Sequence, residues 1–160
     1  MRSIFLILAL LVFSVSHSAE PPAVAIVLAD GHAVDLSPTV LAPLPKQTIT
    51  SASHGKMASY EGYDLRTVLS AVGVVPVDSL RGKQLAAYLI VTAADGYQVV
   101  FGLAELDRTL GNTLVLLTDS EDGQPLSSSD GPWRLVVPDD QRPTRWVRQV
   151  VSIRVVQIEG

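Results

Sequence analysis

The 160-residue chain predicts an α+β fold in a single domain, with mixed or antiparallel sheets and few short helices. Short β-like runs dominate, turn signals such as Asp95-Gly96 punctuate them regularly, and the stretch Leu65 to Val72 stands out with a helical apolar period. An apolar content of 48% against 18% charged residues is that of a globular chain with a core, which argues against disorder. The sequence carries no internal repeat, low-complexity linker or second domain.

Residues 1–19 stand apart from that core. Arg2 gives a positive start, Ile4 to Val15 form an apolar run, and Ser16-His17-Ser18-Ala19 offers small residues for cleavage before Glu20-Pro21-Pro22. This predicts a secretory signal peptide over 1–19 and a domain over 20–160. The run is shorter than the roughly 20 apolar residues a membrane span needs, so no membrane attachment is expected after cleavage.

Along the mature chain, Ala23 to Ala29 is a strand, Asp30-Gly31 a turn, and Ala33 to Leu36 its returning partner. Ser37-Pro38 predicts a short helix, with a capping hydroxyl and proline at the first helical position, ending by Pro43. Lys46 to Ser53 and Lys56 to Tyr60 read as strands on either side of Ser53-His54-Gly55. Leu65, Val68, Leu69 and Val72 fall at i, i+3, i+4 and i+7 behind an Asp64 cap, with Gly73 at the stop. Ala86 to Ala93 and Tyr97 to Phe101 form a hairpin through Asp95-Gly96, and Leu103 to Leu106 one helical turn. Leu114 to Thr118, Trp133 to Val137 and Val150 to Ile158 are the remaining strands, separated by Glu121-Asp122-Gly123 and the loop Ser127-Ser128-Ser129-Asp130.

Composition excludes several chemistries. There is no cysteine, so neither a disulfide nor a thiolate is available, and the histidines left after residue 19, His32 and His54, lack ligand spacing for zinc. A net charge of −4 disfavours nucleic acid, and neither G-x-x-x-x-G-K-[ST] nor G-x-G-x-x-G occurs to suggest a nucleotide. There is no G-x-S-x-G elbow, and Ser53 and His54, as strand neighbours, are expected on opposite faces, which is poor geometry for a nucleophile and its base. Asp95, Asp107, Asp119 and Asp122 lie at turns, where such side chains hold the backbone.

The C-terminal arginines are the chemical signal. From Arg134 onward five arginines face three acids in an otherwise acidic chain, and Arg142, Arg145 and Arg148 recur every third residue beside Trp146. If the segment makes a helical turn, three planar guanidiniums converge on a phosphate or carboxylate. The competing reading is a solvated basic edge paired with Asp139 and Asp140, with Trp133 and Trp146 filling the core.

Three segments taken in order, Tyr60-Glu61-Gly62-Tyr63-Asp64-Leu65-Arg66-Thr67-Val68-Leu69, Val91-Thr92-Ala93-Ala94-Asp95-Gly96-Tyr97, and Gly131-Pro132-Trp133-Arg134-Leu135-Val136-Val137-Pro138 running on to Arg148, resemble the sulfite oxidase-like molybdopterin-binding domain. The resemblance covers most of Lys46 to Val155 and implies that fold, molybdopterin as the cofactor, and a location in the bacterial periplasm. It implies a groove in which Arg134 and Arg148, with Arg145 beside them, hold the pterin phosphate. Ser53-His54-Gly55 falls where the family presents its metal-binding cysteine, and a serine hydroxyl is a far weaker ligand than a thiolate. The expectations are therefore an exported oxidoreductase-like protein that binds a pterin or another small anionic ligand, or a non-catalytic module on the same fold that binds a small anion or a periplasmic protein partner.

Overall fold

The computed structural model describes residues 23–74 and 79–158, so the segment read as a signal peptide lies outside the described residues. Strands β1 (Ala25–Val27) and β2 (Ala33–Asp35) form the expected antiparallel hairpin, and the turn uses Gly31 at φ 87°. Helix α1 (Pro38–Leu41) begins at proline as expected, but the Ser37 hydroxyl does not cap it. The Ser37 carbonyl accepts instead from Val40 and Leu41 N–H.

Strand β3 (Lys46–Ser53) has the predicted bounds and pairs along its whole length with β4 (Lys56–Asp64), which runs four residues past Tyr60. That extension delivers the chain directly into α2 (Leu65–Ala71). The Asp64 carboxylate accepts from Arg66 N–H at 2.9 Å as the N-cap, and Gly73 at φ 87° closes the other end, with Val74 N–H reaching the Leu69 carbonyl. Val68 and Leu69 are fully buried, as the apolar period requires.

Strands β5 (Tyr88–Ala93) and β6 (Gln98–Gly102) form the second expected hairpin, followed by the one-turn helix α3 (Leu103–Leu106). Its link is three residues rather than two: Ala93 N–H bonds the Tyr97 carbonyl, and Gly96 takes the left-handed position at φ 86°. Strand β7 (Leu116–Glu121) extends past Thr118 to a turn at Asp122-Gly123 and a two-residue strand, β8 (Gln124–Pro125), that the sequence did not signal. Strands β9 (Arg134–Val136) and β10 (Val150–Val156) complete the set.

These strands make two sheets. One has the order β2-β1-β10-β5-β6, antiparallel except for the parallel pair β1 and β10; the other has the order β3-β4-β7-β8, with β9 also paired to β7. Buried apolar side chains from both, among them Ile26, Leu89, Phe101, Leu117, Leu135 and Ile153, form one core. This is the mixed α+β arrangement that the sequence predicts.

The connection after β9 ties the two sheets together. Leu135 N–H bonds the Val147 carbonyl at 2.8 Å, Val150 N–H the Trp133 carbonyl at 2.9 Å, and Ala94 N–H the Gln149 carbonyl at 2.9 Å. Residues 147–150 are thereby fixed between β9 of one sheet and the β5–β6 turn of the other, which places Arg148 where the sheets meet.

Candidate functional site

A cleft of about 740 Å³ opens at this seam. The β3–β4 turn supplies Ser53, His54 and Lys56; β4 and β7 supply Tyr60 and Glu121; the β5–β6 turn supplies Asp95 and Tyr97. Ser129, Asp130 and Arg134 enter from the serine loop and β9, and Trp146 and Arg148 from the segment before β10.

Ser53 and His54 face the cleft together, contrary to the expectation that strand neighbours would diverge. His54 is a turn residue at φ 51°, followed by Gly55 at φ 80°, so the chain reverses before the alternation of the strand can carry the imidazole to the other face. No hydrogen bond joins the two side chains among the described residues, so the pair does not form a nucleophile and base.

Arg134 forms the floor. Its side chain is only 9% exposed, and its guanidinium carbon lies 5.6 Å from the ring centres of both Tyr60 and Trp146. Those rings meet edge to face at 5.6 Å, and Trp146 Nε1–H donates to the Val137 carbonyl at 2.9 Å, so the aromatic wall is rigid. Arg134 Nη1 reaches Glu121 at 3.4 Å and Asp130 at 3.8 Å, while its buried Nε–H has no hydrogen-bond partner. A buried charged donor left without a partner carries a desolvation penalty. Burial pushes the Tyr60 phenol above its ordinary pKa, with Arg134 opposing, so the hydroxyl stays protonated.

Arg148 lies at the rim with 63% of its side chain exposed, and its ion pair, to Asp130, spans 3.7 Å. Arg145 has the opposite surroundings and does not line the cleft. It meets Asp140 at 2.6 Å and Glu105 at 2.7 Å, and lies over the Phe101 ring at 4.6 Å. The Asp140 hydrogen bonds hold its guanidinium in the charged form even more firmly than usual, against a smaller opposing effect of burial. The short 3₁₀ turn Pro143–Arg145 thus sends Arg145 away from Arg148, and Arg142, Arg145 and Arg148 do not converge.

The structure therefore brings Ser53, His54, Arg134 and Arg148 around one cleft and leaves Arg145 outside it. Lys56, Tyr60, Tyr97, Glu121 and Ser129 also line it and were not singled out from sequence, and so does Asp95, which was read only as a turn residue and does accept from Tyr97 N–H at 2.9 Å. Asp95 and Tyr97 carried a usable signal, since an Asp-Gly turn followed by tyrosine places both at a hairpin tip. Among the described residues, no group of three or more His, Cys, Asp or Glu is placed to hold a metal ion, and no helix is long and apolar enough to cross a membrane.

The sequence matches the model of the oxidoreductase molybdopterin binding domain over residues 42–159, a span that includes every residue of this cleft. No curated protein matches it. Among solved structures it is similar to the sulfane dehydrogenase SoxCD from Paracoccus pantotrophus, with a TM-score of 0.62 at 17% identity, covering 87% of this chain and 39% of that one. The chain spans well under half of that neighbour, and the likeness is one of fold.

Proposed function

We propose that this chain, which belongs to the oxidoreductase molybdopterin-binding domain family, is a binding module whose cleft takes a phosphate-bearing ligand of the pterin class without a thiolate-held metal. Arg148 carries this reading: its backbone segment is tied between the two sheets, while its guanidinium is largely exposed and meets Asp130 only at 3.7 Å, which makes it a cation with donors to spare. Lys56 shares the cleft. Tyr97, half exposed beside the same opening, offers a ring face to a planar heterocycle.

The cofactor's parts fit this site unequally. Its phosphate suits Arg148 and Lys56, which line the cleft beside the Arg134 guanidinium. A protein ligand for a high-valent metal is missing, because the chain contains no cysteine and the β3–β4 turn offers only a hydroxyl and an imidazole. The chain's part is to bind the phosphate and to shield the ring. Arg2, the apolar run Ile4 to Val15 and the small residues ending at Ala19 support export; the family resemblance supports the bacterial periplasm as the destination, where a small ligand or a periplasmic protein is the partner in reach.

The test is cofactor content after expression with the native N-terminus in a molybdopterin-producing host. Pterin fluorescence with clearly substoichiometric molybdenum is the expected result. Stoichiometric molybdenum would overturn the metal-free half of the reading. Neither pterin nor molybdenum, beside a control enzyme that does load, would overturn it entirely.

A further inference from the structure

We infer that Asp130 is the selectivity device of the cleft: its carboxylate occupies the anion position shared by Arg134 and Arg148, so that a dianionic phosphate monoester displaces it and a monoanionic carboxylate does not. The inference rests on the anion-binding reading above and adds the charge class of ligand and the residue that sets it.

One oxygen of Asp130, Oδ1, faces both guanidiniums, at 3.8 Å from Arg134 Nη1 and 3.7 Å from Arg148 Nη1. Both distances exceed hydrogen-bond range, so Asp130 neutralises the two cations without saturating their donors. The carboxylate is held in that place from behind. Its Oδ2 accepts from the Ser127 hydroxyl at 2.9 Å, Asp130 N–H bonds the Ser127 carbonyl at 3.0 Å, and Gln149 N–H bonds the Asp130 carbonyl at 2.8 Å. Arg134 meanwhile keeps a buried Nε–H with no partner.

The remaining charges do not alter this balance. Glu121 lies 3.4 Å from Arg134, and Lys56, His54 and Asp95 line the same cleft, so its carboxylates and its Lys and Arg side chains nearly cancel. An incoming carboxylate would replace Asp130 with a group of the same charge and geometry and gain nothing. A phosphate monoester brings a second charge and three acceptor oxygens, enough to engage both guanidiniums at once. Asp130 thus works by exclusion, since discrimination is a difference of affinities and a built-in competitor removes the weaker class.

Phenyl phosphate and benzoate share a ring and differ in charge, so their affinities for the full exported chain, measured by calorimetry, read the device directly. The wild type is expected to prefer phenyl phosphate by roughly tenfold or more. Asp130→Asn should tighten both ligands and benzoate most, collapsing the ratio, whereas Arg148→Ala should weaken both. Should Asp130→Asn fail to fold, Ser127→Ala loosens the carboxylate from behind and must lower the ratio in the same direction. A ratio unchanged by either variant, with Arg148→Ala still weakening both ligands, would sink the role of Asp130 and leave the anion cleft standing. No binding of either ligand, or binding indifferent to Arg148→Ala, would remove the anion cleft and this inference together.

Discussion

Arg145 and Arg148 stand three residues apart on the connection from β9 to β10, and the structure gives them opposite lives. Arg145 has two carboxylates at hydrogen-bond distance and an aromatic ring beneath it. Arg148 lies at the rim of the cleft, with Asp130 beyond that distance. A run of arginines is therefore not itself a site. What distinguishes a binding cation from a structural one is how many of its donors the fold has already satisfied, because a saturated guanidinium must break existing bonds before it can bind anything else.

The comparison can be broken from the structural side first. Phe101 is fully buried under Arg145, and Phe101→Ala should cost about 3 to 5 kcal/mol in urea unfolding through cavity formation. A cost under about 1 kcal/mol would mean that the Arg145 side of the molecule is not packed as described. Next in size, Arg145→Ala takes their charged donor from Asp140 and Glu105 and should lower stability by about 1 to 3 kcal/mol. Its effect on phenyl phosphate affinity should be negligible. Arg148→Ala is the smallest in stability, within about 0.5 kcal/mol, and the largest in binding. If the two arginine variants behaved alike in both assays, the contrast between them would be lost.

Much of this fold is legible in the sequence because its signals are local. The Lys46 to Ser53 strand, the Asp64-capped helix and the Asp-Gly hairpin each depend on residues within a few positions of one another, and each forms. The parallel pairing of β1 with β10 joins residues more than 120 positions apart, from Ala25 to Ser152, and no local pattern announces it. The site divides along the same line. Ser53, His54, Arg134 and Arg148 are visible as chemical types at motif positions, and all line the cleft. That Arg145 is sequestered depends on Glu105, forty residues away on α3, so only the folded chain separates it from Arg148. The shared orientation of Ser53 and His54 follows from a left-handed turn residue, which strand alternation does not anticipate.

The most direct measurement is a titration of the protein with a phosphorylated pterin, followed through the arginine Nε–H signals in proton–nitrogen NMR spectra. The account predicts that the Arg148 signal shifts with saturation and that Arg145 stays in place. A shift at Arg145 comparable with that at Arg148, or no shift at Arg148 at millimolar ligand, would contradict it.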